Sequence, residues 1–315
     1  MNIFVAGATG VIGRELVRLL VERGETVTGM TRSASRRGVI EQLGARSVVA
    51  DAFDAEAVHR AVAAAEPDVV VHEMTALTHL GAPRNLHRDF AQTSRLRTEG
   101  TDILLAASQA VGVPRFIAQS YCGYLPATHG PLIVPEDEPL DPRLAGALAG
   151  VFEALQYLET AVTGASSTVG IVLRYGGFYG PGTTLSRRPP GAHTELVRKR
   201  RFPIIGNGAG IWSFIHVEDA ARATVAAIDR AERGIYHICD DEPAPVREWL
   251  PELAAALGAR PPFRVPRWLG RLAAGEAAVI VSTEVSGASN AKARRELRWE
   301  PVYRSWREGF RRGLG

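Results

Sequence analysis

Three glycines near the start of the chain have the spacing of a loop that binds phosphate groups. The segment GATGVIG follows the apolar run Ile3–Ala6 directly. In such a loop the first glycine permits a tight turn, the second lets a pyrophosphate approach the backbone, and the third lets the next helix pack closely on the strand. The free N–H groups at the start of that helix attract phosphates. We therefore predict a dinucleotide site made by Gly7, Thr9, Gly10, Val11, Ile12 and Gly13.

The residues after the second predicted strand indicate which dinucleotide is bound. A chain that prefers NAD usually has an acidic residue there, which binds the ribose 2′-OH. This strand ends without a carboxylate, and arginines follow it. A guanidinium can bind a 2′-phosphate with two hydrogen bonds; the alternative is that these arginines only form the solvated start of a helix. We predict NADP(H) rather than NAD(H), with Arg32, Ser33 and Arg36 at the phosphate and Asp51 and Ala52 beside the adenine.

Strand and helix patterns alternate over the first 175 residues. Apolar strand-like runs such as NIFVAG, PDVVVHE and RFIAQS are separated by helical segments, including long ones near Arg95–Val111 and Phe152–Val162. This alternation predicts a Rossmann-type, doubly wound parallel sheet covered by helices on both faces. A stretch rich in Gly, Pro and Arg interrupts it before Val217–Ala231 returns to the sheet. We expect a dinucleotide-binding domain of residues 1–179 plus about 210–240, and a smaller, discontinuous substrate lobe of about 180–209 plus 241–315.

Composition limits the classes of partner. The 315 residues are 46% hydrophobic and 23% charged, and the net charge is only +3, so we expect a small-molecule substrate and no nucleic acid. The two cysteines, Cys122 and Cys239, lack the spacing of a metal site, and we predict none. A strand begins right after Met1 and no apolar run has membrane-spanning length. We expect a cytoplasmic protein without a membrane partner.

Four segments, in order, resemble the extended short-chain dehydrogenases/reductases, the NAD-dependent epimerase/dehydratase superfamily. After the glycine loop these are GTDILLAA from Gly100, VPRFIAQS from Val113, VLRYGGFYGPGT from Val172 and WSFIHVEDAARA from Trp212. The resemblance covers almost the whole chain. It implies a nicotinamide enzyme, and it implies a homodimer that pairs through the long helices near 95–111 and 150–162.

The resemblance also implies a tyrosine and a lysine spaced YxxxK, and this pair is missing. Counting from Glu159, which resembles the glutamate four residues after the family's lysine, places Val151 at the tyrosine and Leu155 at the lysine. No lysine precedes Lys199, so no other register restores the pair. An ordinary tyrosine, with a pKa near ~10, is a poor base without a nearby cation. Tyr157 is off register, and we predict that it belongs to the core.

Other polar residues follow the strands where an open α/β sheet binds its ligands. Aligning VPRFIAQS places Tyr121 at the position of the family's catalytic hydroxyl, with Ser120 beside it. A protonated phenol can donate a proton in a reduction without a lowered pKa, whereas an oxidation would need it deprotonated. Glu73 follows the fourth strand, where a buried carboxylate needs a role or a partner. We predict Tyr121, Ser120 and Glu73 as catalytic and Tyr175 as a cofactor contact.

These observations favour an NADP(H)-dependent reductase that acts on a small carbonyl or conjugated metabolite without the usual Tyr-Lys pair. Tyr121 or an ordered water would supply the proton. Two alternatives stay open: a redox-neutral isomerase, lyase or cyclase with the same cofactor, and an inactive protein that senses a dinucleotide.

Overall fold

A seven-stranded parallel sheet carries the predicted phosphate loop. The computed structural model describes residues 1–77, 86–123, 125–126, 133–138 and 145–315. Across the sheet the strands lie in the order β3, β2, β1, β4, β5, β8, β13, and every neighbouring pair is parallel. Their bounds are β1 Asn2–Ala6, β2 Thr26–Thr31, β3 Arg46–Val49, β4 Val69–His72, β5 Arg115–Tyr121, β8 Val169–Tyr175 and β13 Gly234–Ile238. This confirms the Rossmann-type, doubly wound fold predicted from the sequence.

The remaining described strands are short and form small two- and three-stranded sheets. They are β6 Leu125–Pro126, β7 Ile133–Val134, β9 Gly177–Tyr179, β10 Ile204–Ile205, β11 Ile211–Trp212, β12 Phe214–His216, β14 Ala244–Pro245, β15 Arg264–Val265 and β16 Val285–Ala288. Strand β16 pairs with both β6 and β7, so the last third of the chain returns to the segments that follow β5.

The helices connect these strands, together with a short 3₁₀ turn at Ala34–Arg36. They are α1 Val11–Glu22, α2 Arg37–Glu41, α3 Ala55–Ala65, α4 Leu86–Arg97, α5 Glu99–Ala110, α6 Ala145–Gly164, α7 Ala192–Arg198, α8 Val217–Arg230, α9 Val246–Ala256, α10 Arg267–Ala274, α11 Glu276–Thr283, α12 Ala291–Leu297 and α13 Trp306–Arg312. Within the described ranges, no helix combines the length and the apolarity needed to cross a membrane.

Each face of the sheet buries its own apolar core. On one face, Val5 and Leu173 of the strands pack with Leu16 of α1 and Ala223 of α8. On the other, Val70 and Phe116 pack with helices α3, α5 and α6. Strands that are apolar on both sides need this double cover, which explains why they read as continuous Val- and Ile-rich runs.

One feature differs from the helices predicted by periodicity. The long helix expected near Arg95–Val111 is divided at Thr98, whose backbone leaves the helical region with φ −99° and ψ −88° and whose hydroxyl donates to the Ser94 carbonyl, 3.1 Å away. Residues 291–299, which the sequence assigns to the substrate lobe, pack in part against the α1/α8 face of the sheet, where Leu297 and Trp299 join the core.

Candidate active site

The glycine loop lies between β1 and α1, and its geometry leaves no room for a side chain at Gly7 or Gly13. Gly7 has φ +92°, and a Cβ there would lie 2.7 Å from the backbone carbonyl of Glu73. A Cβ at Gly13 would lie 2.2 Å from the Gly7 carbonyl oxygen. Real Cβ contacts are never this short, so both positions require glycine. The turn is closed by the Gly10 N–H, which donates to the Gly7 carbonyl over 2.9 Å.

The start of α1 favours an anionic ligand. Gly10 precedes the helix in an extended conformation and provides no side-chain cap, and the first turn contains no acidic residue. The first N–H groups of a helix lack partners within the helix and carry a partial positive charge. Since no side chain of the loop neutralises them, the residues present fit the pyrophosphate of a dinucleotide.

Two guanidiniums at the end of β2 are available to a further phosphate. Arg32 and Arg36 are both exposed, and neither pairs with a carboxylate of the described residues. Arg37 is different, because its side chain donates to the Ser47 hydroxyl and lies 3.4 Å from the Glu41 carboxylate. The Ser33 hydroxyl lies 2.7 Å from that of Ser35, within the same turn.

The predicted adenine neighbours follow β3. Asp51 is exposed and accepts a hydrogen bond from the Phe53 N–H, and Ala52 is buried. The Arg95 guanidinium lies 3.8 Å from the centre of the Phe53 ring and donates a hydrogen bond to the Glu99 carboxylate. Sequence reasoning missed this stacked pair, because nothing local connects a residue after β3 with one in α4.

A buried hydrogen-bonded chain lies beneath the glycine loop. The phenol oxygen of Tyr175 lies 3.1 Å from Glu73 Oε1 and 2.6 Å from the Thr224 hydroxyl of α8. All three side chains are buried, and the second oxygen of Glu73 has no partner among the described residues. Burial raises the pKa of the Glu73 carboxyl to about 8. Tyr175, predicted to contact the cofactor, therefore lies under the loop that would hold it, and Thr224 was not foreseen.

Ser120 takes part in a second buried network, on the opposite face of the sheet. Its hydroxyl donates to Glu159 Oε1 over 2.6 Å, and the Arg174 guanidinium binds the same carboxylate with two hydrogen bonds of 2.8 and 2.7 Å. Arg174 also donates to the carbonyls of Glu136 and Glu138. The Ser120 hydroxyl thus donates its proton within a contact between β5 and α6. This placement does not support the prediction that the hydroxyl is catalytic.

The two positions of the missing pair are part of an apolar cluster. Val151 is 3% exposed and Leu155 0%, and both pack with Phe152 and Cys122. Tyr157 lies elsewhere on α6, and at 44% exposure it donates to Asp102 of α5 over 2.6 Å. The prediction that Tyr157 belongs to the core is therefore wrong, because α6 is apolar on several sides and its sequence pattern does not mark the solvent face.

Tyr121 ends β5 beside this cluster. Its ring is half-buried and lies against the Gly123 backbone, so that a Cβ at Gly123 would be 2.2 Å from the phenol oxygen. The next residue, Cys122, is buried, and burial raises the pKa of its thiol to about 12. The carboxyl edge of the sheet thus presents a phosphate loop, a neutralised carboxyl beneath it, and a phenol above an apolar surface.

Comparisons with known proteins agree with this architecture. The family model of the NAD dependent epimerase/dehydratase family matches residues 3–239. A relative from Streptomyces sp, 3-diazoavenalumate denitrifying reductase, is 44% identical over 321 residues, which are 99% of this chain and 100% of the relative.

Solved structures match the fold over the full length at low identity. UDP-glucose 4-epimerase from Thermotoga maritima, solved with UDP-glucose, has a TM-score of 0.78 at 22% identity and covers 100% of this chain and 97% of its own. A human epimerase family protein solved with NADPH has a TM-score of 0.71 at 20% identity, covering 100% and 99%. The chain belongs to the NAD-dependent epimerase/dehydratase family and is an oxidoreductase of the short-chain dehydrogenase/reductase type.

Proposed function

We propose that the protein is an NADP(H)-dependent reductase that replaces the diazo group of an aromatic compound with hydrogen and releases dinitrogen. The observation that carries this proposal is the apolar character of Val151 and Leu155, which stand where the family resemblance places its acid-base pair. The relative with 44% identity is named a denitrifying reductase of a diazo compound, which supports the same chemistry.

A diazo group removes the need for a strong acid at the site. Reduction of a ketone leaves an alkoxide that must be protonated, and a tyrosine-lysine pair normally supplies that proton. An arenediazonium instead accepts hydride and its electron pair at the terminal nitrogen. The aryldiazene so formed loses N₂: its C–N and N–H bonds break, and a C–H bond forms at the ring. A diazophenol in its neutral, quinone-like form needs one proton more, at the ring oxygen.

The residues of the chain supply binding and orientation for this reaction. Bound NADPH would provide the hydride. The N–H groups that follow Gly10 would hold the pyrophosphate, and Arg32 and Arg36 the 2′-phosphate. Tyr121 would donate a hydrogen bond from its phenol to the ring oxygen of the substrate, as a protonated group that needs no lysine. These assignments favour NADP(H) over NAD(H).

The test is to incubate the purified protein with a diazophenol and NADPH, and to follow the absorbance of NADPH together with the release of N₂ by mass spectrometry. We expect NADPH to be consumed and N₂ to be released in equal amounts. A 3-oxo acid is the comparison substrate. Consumption of NADPH with the oxo acid alone would favour a carbonyl reductase, and consumption with neither compound would refute a reductase.

A further inference from the structure

Three half-buried aromatic side chains pack against the apolar cluster around the missing pair. Its buried members come from the ends of β5 and β13, from α6, and from the segments near β16; they include Cys122, Val151, Phe152, Leu155 and Cys239. Phe90 of α4, Tyr121 of β5 and Trp212 of β11 pack against it while remaining half-buried. Three separate elements thus each bring an aromatic ring into contact with this cluster.

Trp212 is held firmly in this position. Its indole N–H donates to the Val281 carbonyl over 2.7 Å, and its ring lies 4.7 Å from that of the fully buried Trp249. The one polar atom of the side chain is therefore satisfied within the protein, and the exposed remainder is apolar. A rigid, partly exposed indole is a favourable contact surface, because little conformational freedom is lost when a ligand stacks on it.

We propose that Phe90, Tyr121 and Trp212 form an aromatic platform that binds the planar ring of the substrate, and that the platform selects aromatic over aliphatic acids. The proposal rests on the proposed function. The negative faces of the three rings attract an electron-poor or cationic ring, which describes an arenediazonium or its quinone-like form. Val151 and Leu155 then belong to the apolar floor under that ring.

The thiols near the platform are suited to an electrophilic ligand. Diazo nitrogen reacts with thiolates, which would inactivate the protein. Cys122 is buried beside the platform, and burial raises the pKa of its thiol to about 12, so the thiol stays protonated at neutral pH. Burial also raises the pKa of the Cys239 thiol, which donates to the Ala288 carbonyl. Both thiols are thus kept in their unreactive form.

Binding of unreactive ligands tests the platform independently of turnover. The probes are para-coumarate, which is aromatic, and sorbate, a conjugated aliphatic acid, each titrated calorimetrically into the protein saturated with NADP⁺. We expect para-coumarate to bind more tightly, and W212A and F90L each to weaken it roughly 3- to 10-fold with little effect on sorbate. W212F retains a ring and should restore most of the affinity. W268A is the control, because Trp268 is 67% exposed on α10.

The outcomes separate the two proposals. Equal losses for both probes in W212A and F90L, or a loss in W268A as large as in W212A, would overturn the platform. If W212A does not fold, as judged by lost NADP⁺ binding, the ratio of the two affinities in F90L decides. Selective binding of para-coumarate without reduction of a diazophenol would uphold the platform and refute the proposed reaction. If the protein reduces a diazophenol and its KM is unchanged in F90L and W212A, the proposed reaction is upheld and the platform is refuted.

Discussion

The Glu73 carboxyl lies 3.1 Å from the Tyr175 phenol oxygen, and that oxygen lies 2.6 Å from the Thr224 hydroxyl. Thr224 donates its own proton to the Ala220 carbonyl, 2.9 Å away. The Tyr175 phenol donates to Glu73 Oε1, and the Thr224 hydroxyl is its second hydrogen-bonding neighbour. Burial raises the pKa of the Glu73 carboxyl to about 8, although the hydrogen bond from Tyr175 acts in the opposite direction.

This arrangement predicts that stability falls as the pH rises. Unfolding lowers the pKa of Glu73 from about 8 to its ordinary 4.5, so between these values the folded state holds a proton that the unfolded state has lost. The contribution of Glu73 to the free energy of unfolding is fully present below pH 4.5 and is lost as the pH rises to about 8. The loss amounts to up to ~1.4 kcal/mol per pH unit. Urea denaturation of wild type and E73Q across this range measures it. Parallel pH profiles for the two proteins would show that Glu73 does not titrate as described.

Alanine at Gly13 should abolish dinucleotide binding. Its Cβ would lie 2.2 Å from the Gly7 carbonyl oxygen and would force the loop away from the start of α1. G38A is the matched control, since a Cβ at Gly38 meets nothing within 4 Å. Fluorescence titration with NADPH should show at least about 100-fold weaker binding for G13A and unchanged binding for G38A, a loss of ~2.7 kcal/mol. Retained affinity in G13A would mean that the cofactor binds elsewhere.

Loss of Arg32 or Arg36 should change the cofactor preference. R32A and R36A each remove a charged hydrogen-bond donor worth about 1.5–3 kcal/mol to a 2′-phosphate. We expect the Kd for NADPH to rise by roughly 10- to 100-fold, while the Kd for NADH stays nearly constant. R37A should change neither, because Arg37 is engaged with Ser47 and Glu41. Equal effects on the two cofactors would argue against a 2′-phosphate site.

Removing the Tyr121 hydroxyl should slow the reaction while leaving the ring in place. We expect Y121F to lower kcat about 100-fold, the lower end for a positioned proton donor, with a smaller change in KM. Y157F is the control, since that phenol binds Asp102 on the outer side of α6. Steady-state kinetics with a diazophenol compare the two variants. An unchanged kcat in Y121F would assign the proton to water.

The buried Glu159–Arg174 pair should be the costliest ionic contact to break. E159Q leaves the Arg174 guanidinium buried without its counter-charge, and we expect a loss of about 3–5 kcal/mol in the free energy of unfolding. E56Q, in the exposed pair with Arg60, should change it by under ~1 kcal/mol. Denaturant titrations supply both values. Similar losses in the two variants would show that Arg174 finds other partners.

Local sequence pattern predicted the sheet and the glycine loop, because each depends on residues within one strand-turn-helix unit. The networks could not be predicted in this way. Tyr175 meets a carboxyl 102 residues away and Ser120 one 39 residues away, and only the stacking of helices on both faces brings them together. Tyr157 was misplaced for the related reason that periodicity is weak in a helix with apolar residues on several sides.

Arg174 ties the segment 133–138 to the central sheet. One guanidinium joins that segment, through the Glu136 and Glu138 carbonyls, to the carboxylate of Glu159, while Glu136 accepts the backbone N–H of His237. Moving this segment away from the sheet would break these contacts together, so its position depends on the same buried ion pair that joins β8 to α6.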